Sequence, residues 1–146
     1  MGKRSWLAVA IAVGALVPAR VWAQDPCSSA APTAEEVNAC AGRRARAVDS
    51  LRIEVESAIE GELEFERLQE FQRARELWRE FRDTQCGFES REAGPSALLL
   101  YLRCHTGLTA ERIERLSALL CEGGGLGGTC PPAEDHRAAL SRLLRE

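Results

Sequence analysis

Between residues 33 and 92, apolar positions return every three or four residues along a chain otherwise rich in Glu, Arg, Leu and Ala. Val37, Ala41, Val48, Leu51, Val55 and Ile59 make one such set, and Phe65, Leu68, Phe71, Trp78 and Phe81 make a second. A period near 3.6 places residues on one side of an α-helix, where they bury against a neighbour. Thr33 followed by Glu36 predicts the start of the first helix, because each side chain can satisfy the other's free backbone N–H. One helix of about sixty residues would leave both stripes uncovered, since isolated helices gain most of their stability from packing. The pattern therefore predicts a helical hairpin that turns near Gly61, in "EGE".

Gly94-Pro95 ends the second run, because proline cannot continue the hydrogen-bond ladder and restricts the residue before it. Ser96 is placed to cap "ALLLYLRC", Gly107 to interrupt it, and Thr109 to cap "AERIERLSALL". The stretch "CEGGGLGGTCPP" reads as a loop, and a short helix over about residues 133–145 closes the chain. No two-residue alternation of the kind strands show is present. The fold class expected is all-α: a small bundle made of a long helical hairpin plus shorter C-terminal helices.

The N-terminus changes what counts as the folded protein. Lys3 and Arg4 precede an apolar run from Trp6 to Val17, and Val21-Trp22-Ala23 offers small residues at the −3 and −1 positions of a signal-peptidase site. That layout predicts a secretory signal cleaved after Ala23, its apolar run being too short to span a bilayer. The division expected is a signal at 1–23, a helical domain at 24–120, and a disulfide-closed Gly-rich loop with a short helix at 121–146. The mature protein would then be periplasmic or secreted, with no membrane segment. The signal holds three of the nineteen basic residues and none of the twenty-two acidic ones, so the remainder carries a net charge of −6. That balance speaks against nucleic acid as a partner and suits a basic protein.

All six cysteines lie beyond the signal, and an even number in an exported chain reads as disulfides. Six cysteines allow fifteen pairings. Cys27 lies just before the first helix and Cys40 within its second turn, so Cys27–Cys40 would staple the leading segment to that helix. Cys86 and Cys104 stand at similar distances on either side of Gly94-Pro95, level with each other on antiparallel helices. Cys121–Cys130 follows by exclusion and closes the glycine loop. With no CxxC pair and only His105 and His136 as histidines, the sequence offers no metal site. No cofactor motif is present either: the glycines of "EGGGLGGT" lack the trailing Lys-Ser/Thr of a phosphate loop. His105 beside Cys104 has the look of a Cys–His pair, but a disulfide-bonded cysteine has no thiolate to attack with. No catalytic residue is assigned, and the reading is of a protein that is not an enzyme.

The segment "WREFRDTQC" carries Trp78, Arg82, Asp83 and Cys86 in the pattern W-x3-R-D-x2-C. It is followed by "GPS", by Cys104, and by "LTAERIERL" with Thr109, Arg112 and Leu116. In this combination the chain resembles the lysozyme-inhibitor LprI-like family of exported bacterial proteins. The likeness covers roughly residues 71–116, and Cys27, Thr33 and Cys40 fit the family's N-terminal cysteine pair. The chain departs from it where Gly-Pro-Ser replaces Gly-Gly-Ser, and where only Asp49 and Leu51 remain of an Ala-Asp-x-x-Leu-Asn box. Most of the motif reads as frame. Trp78 and Arg82 share a helix face, so the guanidinium can lie across the indole, and Arg112 is the expected ion-pair partner of Asp83.

The resemblance implies an inhibitor that binds a lysozyme and blocks its active-site groove. The disulfide-anchored turn "GFESREAGPS" offers Ser90, Arg91 and Ser96 as candidate contacts, held ready by Cys86–Cys104. A non-enzymatic module of the cell envelope that binds some other ligand is the alternative, and composition alone does not separate the two.

Overall fold

The computed structural model describes residues 32–121 and 131–145. Four α-helices follow one another: α1 (Ala34–Glu62), α2 (Phe65–Ser90), α3 (Ala97–Cys121) and α4 (Pro131–Arg145). A 3-10 turn, Gly94–Ser96, leads into α3. The described residues contain no strand, and the protein is an all-α bundle.

α1 starts on the Thr33–Glu36 capping box. The Thr33 amide donates to Glu36 Oε2 at 2.7 Å, and the Glu36 amide donates to Thr33 Oγ1 at 3.2 Å. Gly61 stays helical, and the chain turns two residues later, where Leu63 is extended (φ −97°, ψ 135°). Leu63 packs against the hydrophobic core, so it is an apolar anchor that fixes the turn rather than the freedom of a glycine. At the other end of α2, Gly94 takes φ +54°, a conformation that favours glycine.

α3 is one helix of 25 residues rather than two short ones. Gly107 lies exposed within it, and a lone exposed glycine weakens a helix by about 1 kcal/mol without ending it. Thr109, expected as a cap, is fully buried in mid-helix, where its hydroxyl donates back to the His105 carbonyl at 2.6 Å.

α3 is the central element, packed on α1, α2 and α4, while α4 also rests on α1. Val48, Leu51, Val55 and Ile59 of α1 meet Ala110, Ile113, Leu116 and Leu120 of α3, and Leu140 of α4 completes this core. Val37 and Ala41, assigned to the same stripe from the sequence, are only partly buried. The second apolar set does not form a buried stripe. Phe65 is 73% and Phe81 54% exposed, because these five positions wrap too far round the helix to face one neighbour. The buried side of α2 is instead Arg82, Cys86 and Ser90. Cys86 is bonded to Cys104 across the α2–α3 hairpin, with Cα atoms 5.5 Å apart. Cys40 is disulfide-bonded, but the pairing Cys27–Cys40 and the bridge Cys121–Cys130 lie outside the described residues, as does the segment 1–23. No helix among the described residues is long and apolar enough to cross a membrane.

Candidate functional site

With so little of its apolar surface buried, α2 is joined to α1 by charge. Arg52 and Glu56 sit one turn apart on the edge of the buried face of α1 and are bonded to each other. Arg52 Nε and Nη2 also donate to the two oxygens of Asp49, at 2.9 and 3.2 Å. From α2, Arg82 Nη1 donates to Asp49 Oδ1 at 2.9 Å and to the Thr109 hydroxyl of α3 at 3.3 Å. Its Nε donates to Asp83 Oδ1 at 2.9 Å. Arg112 of α3 lies 3.5 Å from Glu56 Oε1. The expected Arg112–Asp83 pair is therefore not formed: Arg112 points towards α1, and Asp83 stays with its neighbour Arg82. Farther along the seam, Arg75 is bonded to Glu60.

Trp78 organises the middle of this seam. The guanidinium carbons of Arg82, Arg112 and Arg52 lie 5.0, 5.2 and 5.9 Å from its ring centroid. A ring face attracts cations more strongly where water is excluded. Three guanidiniums here meet three carboxylates (Asp49, Glu56 and Asp83), so the cluster balances its own charge. Buried charges persist only when paired in this way. Trp78, Arg82, Asp83, Thr109, Arg112 and Leu116 thus come together within the frame, Leu116 in the apolar core beneath.

The electrostatics fix the charge states. Burial alone would raise the pKa of Asp49, but its bonds to Arg52 and Arg82 and their charges hold it below its ordinary 3.8. For Arg112, burial is the largest influence and lowers its pKa, partly offset by Glu56. Burial also depresses His105 below its ordinary 6.5; the Arg82 charge adds to this, against the opposing pull of Asp49 and Asp83. The unfolded chain therefore protonates His105 at a higher pH than the folded protein does. Stability from this group is complete above pH 6.5 and is lost as pH falls below it. The contribution of Asp49 is lost only below 3.8. Urea unfolding across a pH series should show a decline in two stages, and His105→Gln should remove the first and keep the second.

The hairpin tip is a separate place. Ser90 is buried, and its hydroxyl turns inward to the Gly87 carbonyl at 3.4 Å, so it is not available at the surface. Arg91 and Ser96 are exposed, together with Glu92 and Pro95. The Ala93 amide donates to the Ser90 carbonyl and the Ser96 amide to the Ala93 carbonyl, at 3.1 and 3.2 Å, which ties the turn to itself. The Cys86–Cys104 bridge holds the two helices just below it. The same bridge leaves no thiolate beside His105. No group of three or more metal-ligating side chains occurs among the described residues.

Sequence reasoning missed Arg52 and Glu56, the centre of the buried seam. The signal was present: both are charged, four apart, and flank Leu51 and Val55 on the apolar face of α1. Comparison with known families gives a match over most of the helical region. The model of the family described as lysozyme inhibitor LprI matches residues 27–116. No curated protein and no solved structure matches.

Proposed function

The chain belongs to the lysozyme inhibitor LprI family, and from that premise we propose that it is exported, binds a lysozyme, and obstructs the enzyme's glycan groove with its hairpin tip. The family match over residues 27–116 carries this reading. The arrangement of the tip supports it. Lysozymes cleave glycan between two carboxyl groups in a long groove. A turn that exposes a guanidinium (Arg91) and a hydroxyl (Ser96) presents the donors that carboxylates accept, and charge-assisted bonds of this kind are the strong ones. The disulfide below the turn reduces the conformational freedom that binding must remove. An acidic protein is also drawn to a basic enzyme over long range.

Arg91→Ala should weaken lysozyme inhibition by about tenfold or more, as expected when a charged hydrogen bond is lost. Ser96→Ala should weaken it less. Both variants should unfold at the same temperature as the unaltered protein, because both side chains face solvent. A fall in Tm that tracks the loss of inhibition would mark these residues as parts of the frame.

A further inference from the structure

The outer face of α2 is apolar where a solvated helix is ordinarily polar. Leu77, Phe81 and Phe88 are 57%, 54% and 69% exposed. Their spacing of four and seven residues puts them in one row, with Thr84 between them, on the side of α2 opposite Arg82 and Cys86. The row runs about 16 Å along the helix and ends just short of the tip. Singly exposed apolar residues need no explanation, but large apolar side chains aligned along one helix face mark an interaction surface.

Charge along the row says what kind of partner it fits. Glu76, Glu80 and Asp83 line one side of it. Glu76 and Glu80 are exposed and have no ion pair among the described residues, while Asp83 is half-exposed and shared with Arg82. Two copies packed antiparallel through this row would set acid against acid, and like charges across an interface oppose binding. An apolar strip with an acidic rim suits a surface whose own apolar patch is edged by Lys and Arg. The tip is also too small to hold a partner alone, since a stable interface covers about 800 Å² on each side.

We infer that the outer face of α2 is the second half of the lysozyme-contact surface. Leu77, Phe81 and Phe88 pack on the enzyme's wall beside its groove, and Glu76 and Glu80 face its basic residues while the tip enters. This inference rests on the inhibitor reading and deepens it.

Two double variants test it against a basic lysozyme that the unaltered protein inhibits. Phe81→Ser with Phe88→Ser should weaken binding by about tenfold or more, with Tm unchanged or slightly raised because neither ring is in the core. Glu76→Lys with Glu80→Lys should slow association by about tenfold at low salt, and the difference should shrink as salt is added. Affinities within about twofold of the original for both variants, the scatter of a neutral surface change, would overturn the inference. If Arg91→Ala still weakened inhibition in that case, the inhibitor reading would stand without it. A dimer in sedimentation that dissociates on Phe81→Ser with Phe88→Ser would assign the row to a second copy and overturn it too. If the unaltered protein binds no lysozyme, the reading and the inference fall together.

Discussion

Replacing Glu56 by alanine should destabilise the protein by about 3–5 kcal/mol, the cost expected when one partner of a buried ion pair is removed. The Glu56 side chain is 2% and that of Arg52 4% exposed, and Arg112 draws on the same carboxylate. Without Glu56, three guanidiniums around Trp78 would be left with Asp49 and Asp83 alone, and Asp83 is half in solvent. Water cannot reach Arg52 to compensate. The pair need not stabilise the fold relative to apolar packing, since well-packed hydrophobic replacements of buried pairs are often neutral or better. Arg52→Met with Glu56→Leu should therefore lose less stability than Glu56→Ala alone. Equilibrium urea unfolding of the three proteins checks this. A loss below about 1 kcal/mol for Glu56→Ala, the scale of a solvated surface pair, would mean that water reaches the seam.

The start of α1 and the break after α2 were legible in the sequence, because those depend on local chemistry. The Thr33–Glu36 box, the end at Gly94-Pro95 and the apolar face of α1 from Val48 to Ile59 are all short-range signals. What the sequence carried poorly was which face of α2 meets the rest of the protein. Phe65, Leu68, Phe71, Trp78 and Phe81 make one stripe by spacing, and apolar residues at helical spacing usually form the core. The structure buries Arg82 instead, and a buried arginine is intelligible only once Asp49 and Thr109 are known to face it from other helices. Arg112 shows the same difficulty: its nearest acidic residue by motif is Asp83, but its partner is Glu56, 56 residues away from it in the chain. Thr109 is a third case. Its type and position fit an N-cap, yet α3 runs through it, because packing on α1 and α2 supports a continuous helix that Gly107 alone does not break.

Cys86→Ala with Cys104→Ala should have the next largest effect. Opening a loop of this size releases unfolded-state entropy worth about 3 kcal/mol, and Cys86 is itself fully buried. The variant should remain helical at low temperature, since the Val48–Ile113–Leu140 core lies apart from the bridge. Inhibition should nevertheless weaken even where the protein is folded, because α2 and α3 would then hold the tip less firmly. Circular dichroism and inhibition measured at the same low temperature separate the two effects. A folded double variant that inhibits as well as the original would show that the tip needs no staple.

On the proposed reading, the frame serves stability and the tip serves binding. Trp78, its three arginines and their carboxylates fix α1, α2 and α3 with respect to one another. Arg91 and Ser96 stand at the exposed end of that frame. Variants of the seam should therefore change the unfolding midpoint first, and variants of the tip the affinity first.

The most direct test is a titration of the oxidised protein from residue 24 onward against chicken-, goose- and invertebrate-type lysozymes digesting bacterial cell walls. Saturable inhibition of at least one of them near one-to-one stoichiometry, reduced by Arg91→Ala, is the result expected. Full activity of all three enzymes in stoichiometric excess of the protein would contradict the account.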